Sequence, residues 1–107
     1  MIIRMFEGRL KPGREQEFMA RERELLTRTD VDGLLGVSIG RRLAAGAMQV
    51  MTLTVWRDQA AIEQFAALGI ERPVFLTGAD ELVDSWRLNH YDAVDVPEVS
   101  DNGTTPA

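Results

Sequence analysis

The sequence predicts an α+β domain with the element order β-α-β-β-α-β, and three kinds of observation predict it. Alternating apolar residues mark four strands, and apolar residues at helical spacing mark two segments between them. Turn residues separate the elements, with Pro12-Gly13 after the first strand and Ala45-Gly46 between two consecutive strands. Strands connected in this way form a ferredoxin-like plait, which is a four-stranded antiparallel sheet with both helices on one face.

The first strand and the first helix have the clearest patterns. In the strand, which covers the first ten residues, Ile3 and Met5 point to one face and Ile2 and Phe6 to the other. Pro12-Gly13 then ends the strand, and proline is well suited to the first turn of the helix that follows. The spacing predicts this helix over residues 14–28, with a buried face made of Phe18, Met19, Leu25 and Leu26.

The second half of the chain repeats the pattern with a longer final connection. Asp58 is the predicted N-cap of the second helix, and Ala61, Ile62, Phe65 and Ala66 form its buried stripe. The other predicted elements are strands over 34–42 and 47–56, a helical turn near 74–76 within an irregular segment 69–78, and a last strand over 83–94.

The composition excludes several classes of site and partner. The absence of cysteine excludes disulfides, thiolate nucleophiles, Cys-bound zinc and iron–sulfur clusters, and a single histidine excludes a metal site made of several imidazoles within one chain. Three of the 17 acidic residues follow residue 94, so residues 1–94 carry 14 acidic and 12 basic residues. This nearly neutral domain lacks the basic surface of a nucleic-acid-binding protein.

We expect one domain over residues 1–95 and a disordered tail over residues 96–107, because the tail is polar and lacks periodicity. The N-terminus does not resemble a signal peptide, and the longest apolar stretch, 47–56, is too short to cross a bilayer. We therefore expect a cytoplasmic protein without a membrane partner.

The apolar pattern also predicts a homodimer. Two helices cover one face of a four-stranded sheet, yet the first and third strands are apolar on both faces. In the third strand, Met51, Leu53 and Val55 lie on the face opposite to Val50 and Trp56. An uncovered apolar sheet face is an interaction surface. We expect two sheets to pack face to face and form one barrel-like core.

His90 is the predicted catalytic residue, because it is the side chain expected to titrate near neutral pH. It is assigned as a general base or as the hydrogen-bond partner of a substrate oxygen. Trp86 and Asp92 share its face of the last strand, and a register shift of one residue would exchange the two faces. The alternative is a structural histidine at the edge of the sheet or at the dimer interface.

Aromatic residues supply the predicted substrate-binding walls, which are Trp56, Phe65, Phe75 and Trp86. Their flat side chains are suited to stacking on a planar apolar ligand, whereas ordinary core packing is the alternative for each of them. The irregular segment 69–78 is expected to form a lid or pocket wall beside the second helix.

Four segments carry a resemblance to a known family. They are Lys11-Pro12-Gly13-Arg14-Glu15 near the start, the strand-to-helix passage Leu53-Thr54-Val55-Trp56-Arg57-Asp58-Gln59-Ala60-Ala61-Ile62, the stretch Glu71-Arg72-Pro73-Val74, and the ending His90-Tyr91-Asp92-Ala93-Val94. In this order, across about residues 1–95, they resemble antibiotic biosynthesis monooxygenase (ABM)-like domains. The resemblance implies a dimeric α/β barrel of ferredoxin-like protomers. It also implies oxidation of a small aromatic substrate, polyketide-like or a quinol, by O2 without flavin, haem or metal.

The haem-degrading branch of this family is not matched. That branch uses an Asn on the first strand, a Trp in the second helix and a His shortly after it. This chain has Phe6 and Gly8 on the first strand, Phe65 at the Trp position and Phe75 near the His position. The family also includes stress-related and unassigned members. A second hypothesis is therefore a non-catalytic dimeric module that binds a small apolar molecule, in which His90 is structural.

Overall fold

A computed structural model describes residues 1–27 and 31–94 of the chain. The predicted disordered tail, 96–107, lies outside these residues. The elements, in chain order, are β1 (Ile2–Leu10), α1 (Glu15–Leu26), β2 (Leu34–Ala44), β3 (Ala47–Trp56), α2 (Gln59–Phe65), a 3₁₀ helix (Ala79–Leu82) and β4 (Val83–Asp92).

The four strands form one sheet in the order β2-β3-β1-β4, and every neighbouring pair is antiparallel. The two central strands, β1 and β3, are paired over residues 2–9 and 49–56, with Met5 opposite Leu53 near the centre. This topology and the two helices confirm the predicted α+β ferredoxin-like fold.

Several element boundaries differ from the sequence prediction. The first helix is Glu15–Leu26 where the sequence predicts 14–28, and the last strand ends at Asp92 where the sequence predicts 94. Two further differences have a clear local cause. β2 continues to Ala44 because Ala45 and Gly46 both have positive φ, 52° and 75°, as a two-residue hairpin turn requires. The short helix predicted near 74–76 is instead the 3₁₀ helix at Ala79–Leu82. It begins after Gly78, whose φ of 86° sets the chain direction, while Phe75 packs against the core.

Both helices lie on one face of the sheet, and their residues supply the core there. Phe18 of α1 is fully buried against Phe6, Leu10 and Val50. Ala61 and Ile62 of α2 pack against Trp56, which is also fully buried. The predicted N-cap is confirmed, since Asp58 accepts a hydrogen bond from the Ala61 amide at 2.9 Å. No helix among residues 1–27 and 31–94 is long and apolar enough to cross a membrane.

The other face of the sheet carries a continuous apolar patch, which we call the open face. It consists of half-buried and exposed side chains that the strand register places next to one another: Ile3, Met5, Met51, Leu53, Val55 and Tyr91. Neither helix contributes to this face, since the core residues that pack against α1 and α2 lie on the other side of the strands. The predicted apolar character of both faces is therefore present in the structure.

Candidate functional site

A small cavity lies between the helix-facing side of the sheet and the segment that follows α2. Its volume is about 30 Å³, which is room for about two water molecules. Strands β1, β3 and β4 form its floor, the two helices its sides, and residues 73–75 its roof. Its lining is mostly apolar and consists of Arg4, Phe6, Glu22, Leu25, Leu26, Thr52, Thr54, Phe65, Pro73, Val74, Phe75 and Leu88.

Arg4 brings a positive charge to this cavity from the middle of the sheet. Its side chain points to the helix-facing side, and the residue is 4% exposed. Nη1 donates to the carbonyl oxygen of Ile70 at 2.8 Å, and Nη2 donates to that of Arg72 at 2.8 Å. Arg4 makes no ion pair with an acid among residues 1–27 and 31–94. Neutral acceptors therefore hold the guanidinium, and through it they tie residues 70–72 to β1.

His90 is the third partner of this guanidinium. Nη1 of Arg4 lies 2.9 Å from Nε2 of His90, and β1 and β4 place these two residues directly opposite each other. Arginine can only donate, so Nε2 must accept, and the imidazole is neutral with its proton on Nδ1. Burial and the charge of Arg4 lower the pKa of His90, and the charge of Glu71 partly opposes this effect. His90 is thus held as a neutral acceptor at neutral pH.

Glu22 is the acidic group of the cavity. It comes from the buried face of α1, is 6% exposed, and accepts a hydrogen bond from Oγ1 of Thr52 at 2.8 Å. Burial raises the pKa of this carboxyl, and the bond from Thr52 offsets part of the effect. Among the described residues, no group of three or more Asp, Glu, His or Cys side chains is arranged to hold a metal ion.

The predicted site residues are only partly brought together. Phe65 and Phe75 line the cavity, and Phe75 meets Phe6 edge to face with ring centroids 5.7 Å apart. Trp56 lies behind Phe65, at 5.0 Å between ring centroids, and donates its Nε1 hydrogen to Thr54 at 2.8 Å. Trp86 is 48% exposed and lines a separate surface groove.

The register also decides which side of the last strand faces the helices. Leu88 lines the cavity, and Trp86 and His90 share its side of β4, so the side of His90 is the helix-facing one. His90 reaches the cavity through Arg4 and is not itself part of the lining. Its role as a base, and the substrate contacts of all four aromatic residues, stay predictions.

A groove of about 240 Å³ adjoins the cavity at the protein surface. Leu25, Phe65 and Val74 line both spaces, so these side chains form the partition between them. Cavity and groove together approach the roughly 300 Å³ of small-ligand sites. A planar aromatic ligand therefore requires movement of the partition. One of the partition residues, Val74, lies in a segment without regular secondary structure.

Sequence reasoning missed the two charged residues of the cavity, although the sequence contains a signal for each. Arg4 is two residues before Phe6 on β1, so both side chains point to the helix-facing side of the sheet. Glu22 follows Phe18 by four residues and precedes Leu25 by three, which places it within the apolar face of α1. Charged residues inside an apolar pattern were the informative feature here.

Residues 1–69 match the family model of antibiotic biosynthesis monooxygenases, which is more than half of the 107 residues. The chain belongs to this family, as the resemblance of its motifs predicts. No curated protein matches its sequence.

Solved structures of the same fold are similar across nearly the whole chain. SnoaB from Streptomyces nogalater, a cofactor-independent oxygenase, is 17% identical with a TM-score of 0.65, over 91% of this chain and 97% of SnoaB. MhuD, crystallised with manganese protoporphyrin IX in its active site, is 17% identical with a TM-score of 0.66, over 92% of this chain and 100% of MhuD. Rv0793 from Mycobacterium tuberculosis is 13% identical with a TM-score of 0.66, over 91% of this chain and 98% of Rv0793. At these identities the similarity shows the fold.

The neutral state of His90 predicts a loss of stability on acidification. The unfolded chain takes up a proton at His90 near pH 6.5, whereas the folded chain does so at lower pH, so acid favours the unfolded state in this range. His90→Gln keeps a neutral acceptor and does not titrate. Between about pH 7.5 and about pH 5.5, the midpoint of thermal unfolding of the wild type should fall relative to that of His90→Gln. A difference that does not change with pH would contradict the assignment.

Proposed function

We propose that this protein is a cofactor-independent monooxygenase that oxidises a small aromatic substrate, polyketide-like or a quinol, with O2. The observation that carries the proposal is the cavity itself. In a fold of the antibiotic biosynthesis monooxygenase family, it combines apolar and aromatic walls with one buried carboxyl, Glu22, and one buried guanidinium, Arg4.

The chemistry needs a substrate that supplies its own electrons. In an anthrone, loss of a proton from the CH2 group gives an electron-rich enolate, which reduces O2. The CH2 group becomes C=O, one oxygen atom enters the product, and the other leaves as water with the two hydrogens. Once the partition has moved, an apolar enclosure lined by Phe65 and Phe75 holds the ring and excludes bulk water from the reactive intermediate.

Polar groups of the cavity orient the substrate oxygen in this proposal. Arg4 lies in the lining and can donate N–H hydrogen bonds to an enolate oxygen, which carries negative charge. His90 accepts from Arg4 and thereby fixes the direction of the guanidinium. We therefore assign His90 a positioning role beside Arg4, with its predicted role as base as the competing assignment.

The proposal predicts oxygen uptake that depends on access to the cavity. Metal-stripped wild-type protein should consume one O2 per anthrone, well above the buffer rate, and form the quinone. Val74→Trp fills the partition between groove and cavity and should reduce the rate at least about tenfold. Leu68→Trp, at a position that is 87% exposed, is the matched control and should keep the wild-type rate.

Other outcomes of this assay contradict the proposal in different ways. If Val74→Trp is folded and as active as Leu68→Trp, oxidation does not take place in this cavity. If the wild type binds a hydroxyanthraquinone saturably but does not accelerate oxygen uptake with anthrone or a quinol, the protein is a non-catalytic binding module of the same fold.

We also propose that the protein is a homodimer formed through the open face. Ile3, Met5 and Leu53 lie side by side at the centre of this face and are half-buried in the single chain. Exposed Tyr91 borders them on β4. A second copy of the same face would remove this apolar area from water, and a two-fold arrangement is the simplest way to do so.

The dimer predicts that one charge on the open face separates the subunits. Leu53→Arg would bury a guanidinium between the two sheets without a partner, so it should be a monomer by analytical ultracentrifugation at micromolar concentration. Leu43→Arg is the matched control, because Leu43 is apolar and 72% exposed but lies on the other side of the sheet. A wild type that sediments as a monomer would contradict the proposal.

A further inference from the structure

Glu22 is buried at a position where the fold does not need a carboxyl group. Phe18, Leu25 and Leu26 surround it on the buried face of α1, and the residue is 6% exposed. An ionised carboxylate in such a place is costly unless a cation compensates it. Glu22 makes no ion pair with a basic residue in the part of the chain that the structure describes, and its hydrogen bond there comes from Thr52.

Arg4 is the complementary case in the lining of the same cavity. Its described partners are two carbonyl oxygens and the imidazole of His90, all of which are neutral. The two opposite charges thus line one cavity without forming an ion pair. An ion pair would stabilise both charges. Because the two side chains form none, each can still interact with a group that enters the cavity.

A pair of titratable groups in contrasting environments is typical of acid–base sites. Burial raises the pKa of Glu22 towards the range of weakly acidic substrates, which makes proton transfer from such a substrate less unfavourable. Arg4 remains charged, because a guanidinium is not deprotonated in proteins even where burial lowers its pKa.

We propose that Glu22 is the general base of the site, that Arg4 binds the oxyanion that results, and that the ligands are weakly acidic phenols or anthrone-like ketones that enter neutral and ionise inside the cavity. The assignment rests on the proposed function for the oxidation but concerns a step that precedes it. It gives Glu22 the role that the sequence assigned to His90, whose Nε2 lone pair is occupied by Arg4.

Glu22 alone can carry out every proton transfer that the oxidation requires. Glu22 takes the first CH2 proton, and the electron pair stays on the substrate as an enolate whose oxygen accepts from Arg4. The enolate gives its electrons to O2, the C–O bond forms, and Glu22 returns the proton to the peroxide. Glu22 then removes the second C–H proton while the O–O bond breaks, which gives the ketone and hydroxide. Hydroxide takes that proton and leaves as water.

The assignment is tested with a ligand whose colour reports its ionisation. Alizarin, a hydroxyanthraquinone, absorbs at longer wavelength as the anion, and it lacks the CH2 group that is oxidised. At a pH below the pKa of the free dye, the wild type should bind it as the anion. Glu22→Gln is isosteric and keeps an acceptor for Thr52, so it should bind the dye in its neutral form. Glu24→Gln, an exposed position on the same helix, should behave as the wild type.

Oxygen uptake provides the second measurement on the same proteins. Glu22→Gln should oxidise anthrone about a hundredfold more slowly than the wild type, which is the range for loss of a general base. Glu22→Leu, which replaces the buried acid with an apolar residue suited to the core, should show the same loss. Circular dichroism establishes that each variant is folded.

The possible results separate this inference from the proposed function. Anion binding by the wild type without oxygen uptake would contradict the monooxygenase and leave the assignment of Glu22 standing. Uptake that is unchanged in Glu22→Gln and Glu22→Leu, or lost in His90→Gln while retained in both, would overturn the assignment and leave the monooxygenase. A wild type that neither ionises the dye nor consumes oxygen would contradict both.

Discussion

A buried guanidinium must be surrounded by acceptors, and Arg4 meets this requirement in a way that organises the whole site. Its hydrogen bonds to the carbonyl oxygens of Ile70 and Arg72 hold an irregular segment against the central strand. Its contact with His90 joins that strand to β4. Because each bond from a charged donor contributes about 1.5–3 kcal/mol, these contacts are strong enough to position a segment that no helix or strand ladder supports.

The two faces of the sheet differ in composition and in what packs against them. The helix-facing side carries the core and, at its centre, polar residues that alternate with apolar ones, Arg4 beside Phe6 and Thr52 beside Val50. The open face is apolar where Met5 pairs with Leu53. Two apolar clusters, one around Phe18 and one around Trp56, form the core of the helix-facing side. The cavity and its polar residues Arg4 and Thr52 are on the same side.

Most of the fold is predictable from the sequence, because alternation, helical spacing and turn residues are local signals. The site is less predictable. The alternation along β1 shows in the sequence that Arg4 points to the buried side. The two residues whose carbonyl oxygens bind Arg4 are 66 and 68 positions away, and no local pattern indicates them. The side of His90 depends on strand register, which only pairing with β1 decides. Trp86 follows the predicted strand pattern, yet the structure places it in a different groove from Phe65.

Hydrogen exchange in an Arg4→Met variant tests most directly whether this guanidinium holds the segment over the cavity. The amides of Gly69 and Arg72 donate within the segment, to Ala66 and Gly69. Their exchange should accelerate at least about tenfold, which corresponds to loss of one hydrogen bond from a charged group. The amides of Met5 and Leu53 at the centre of the sheet should keep their protection. Unchanged exchange at Gly69 and Arg72, or equal loss of protection throughout the sheet, would contradict the account.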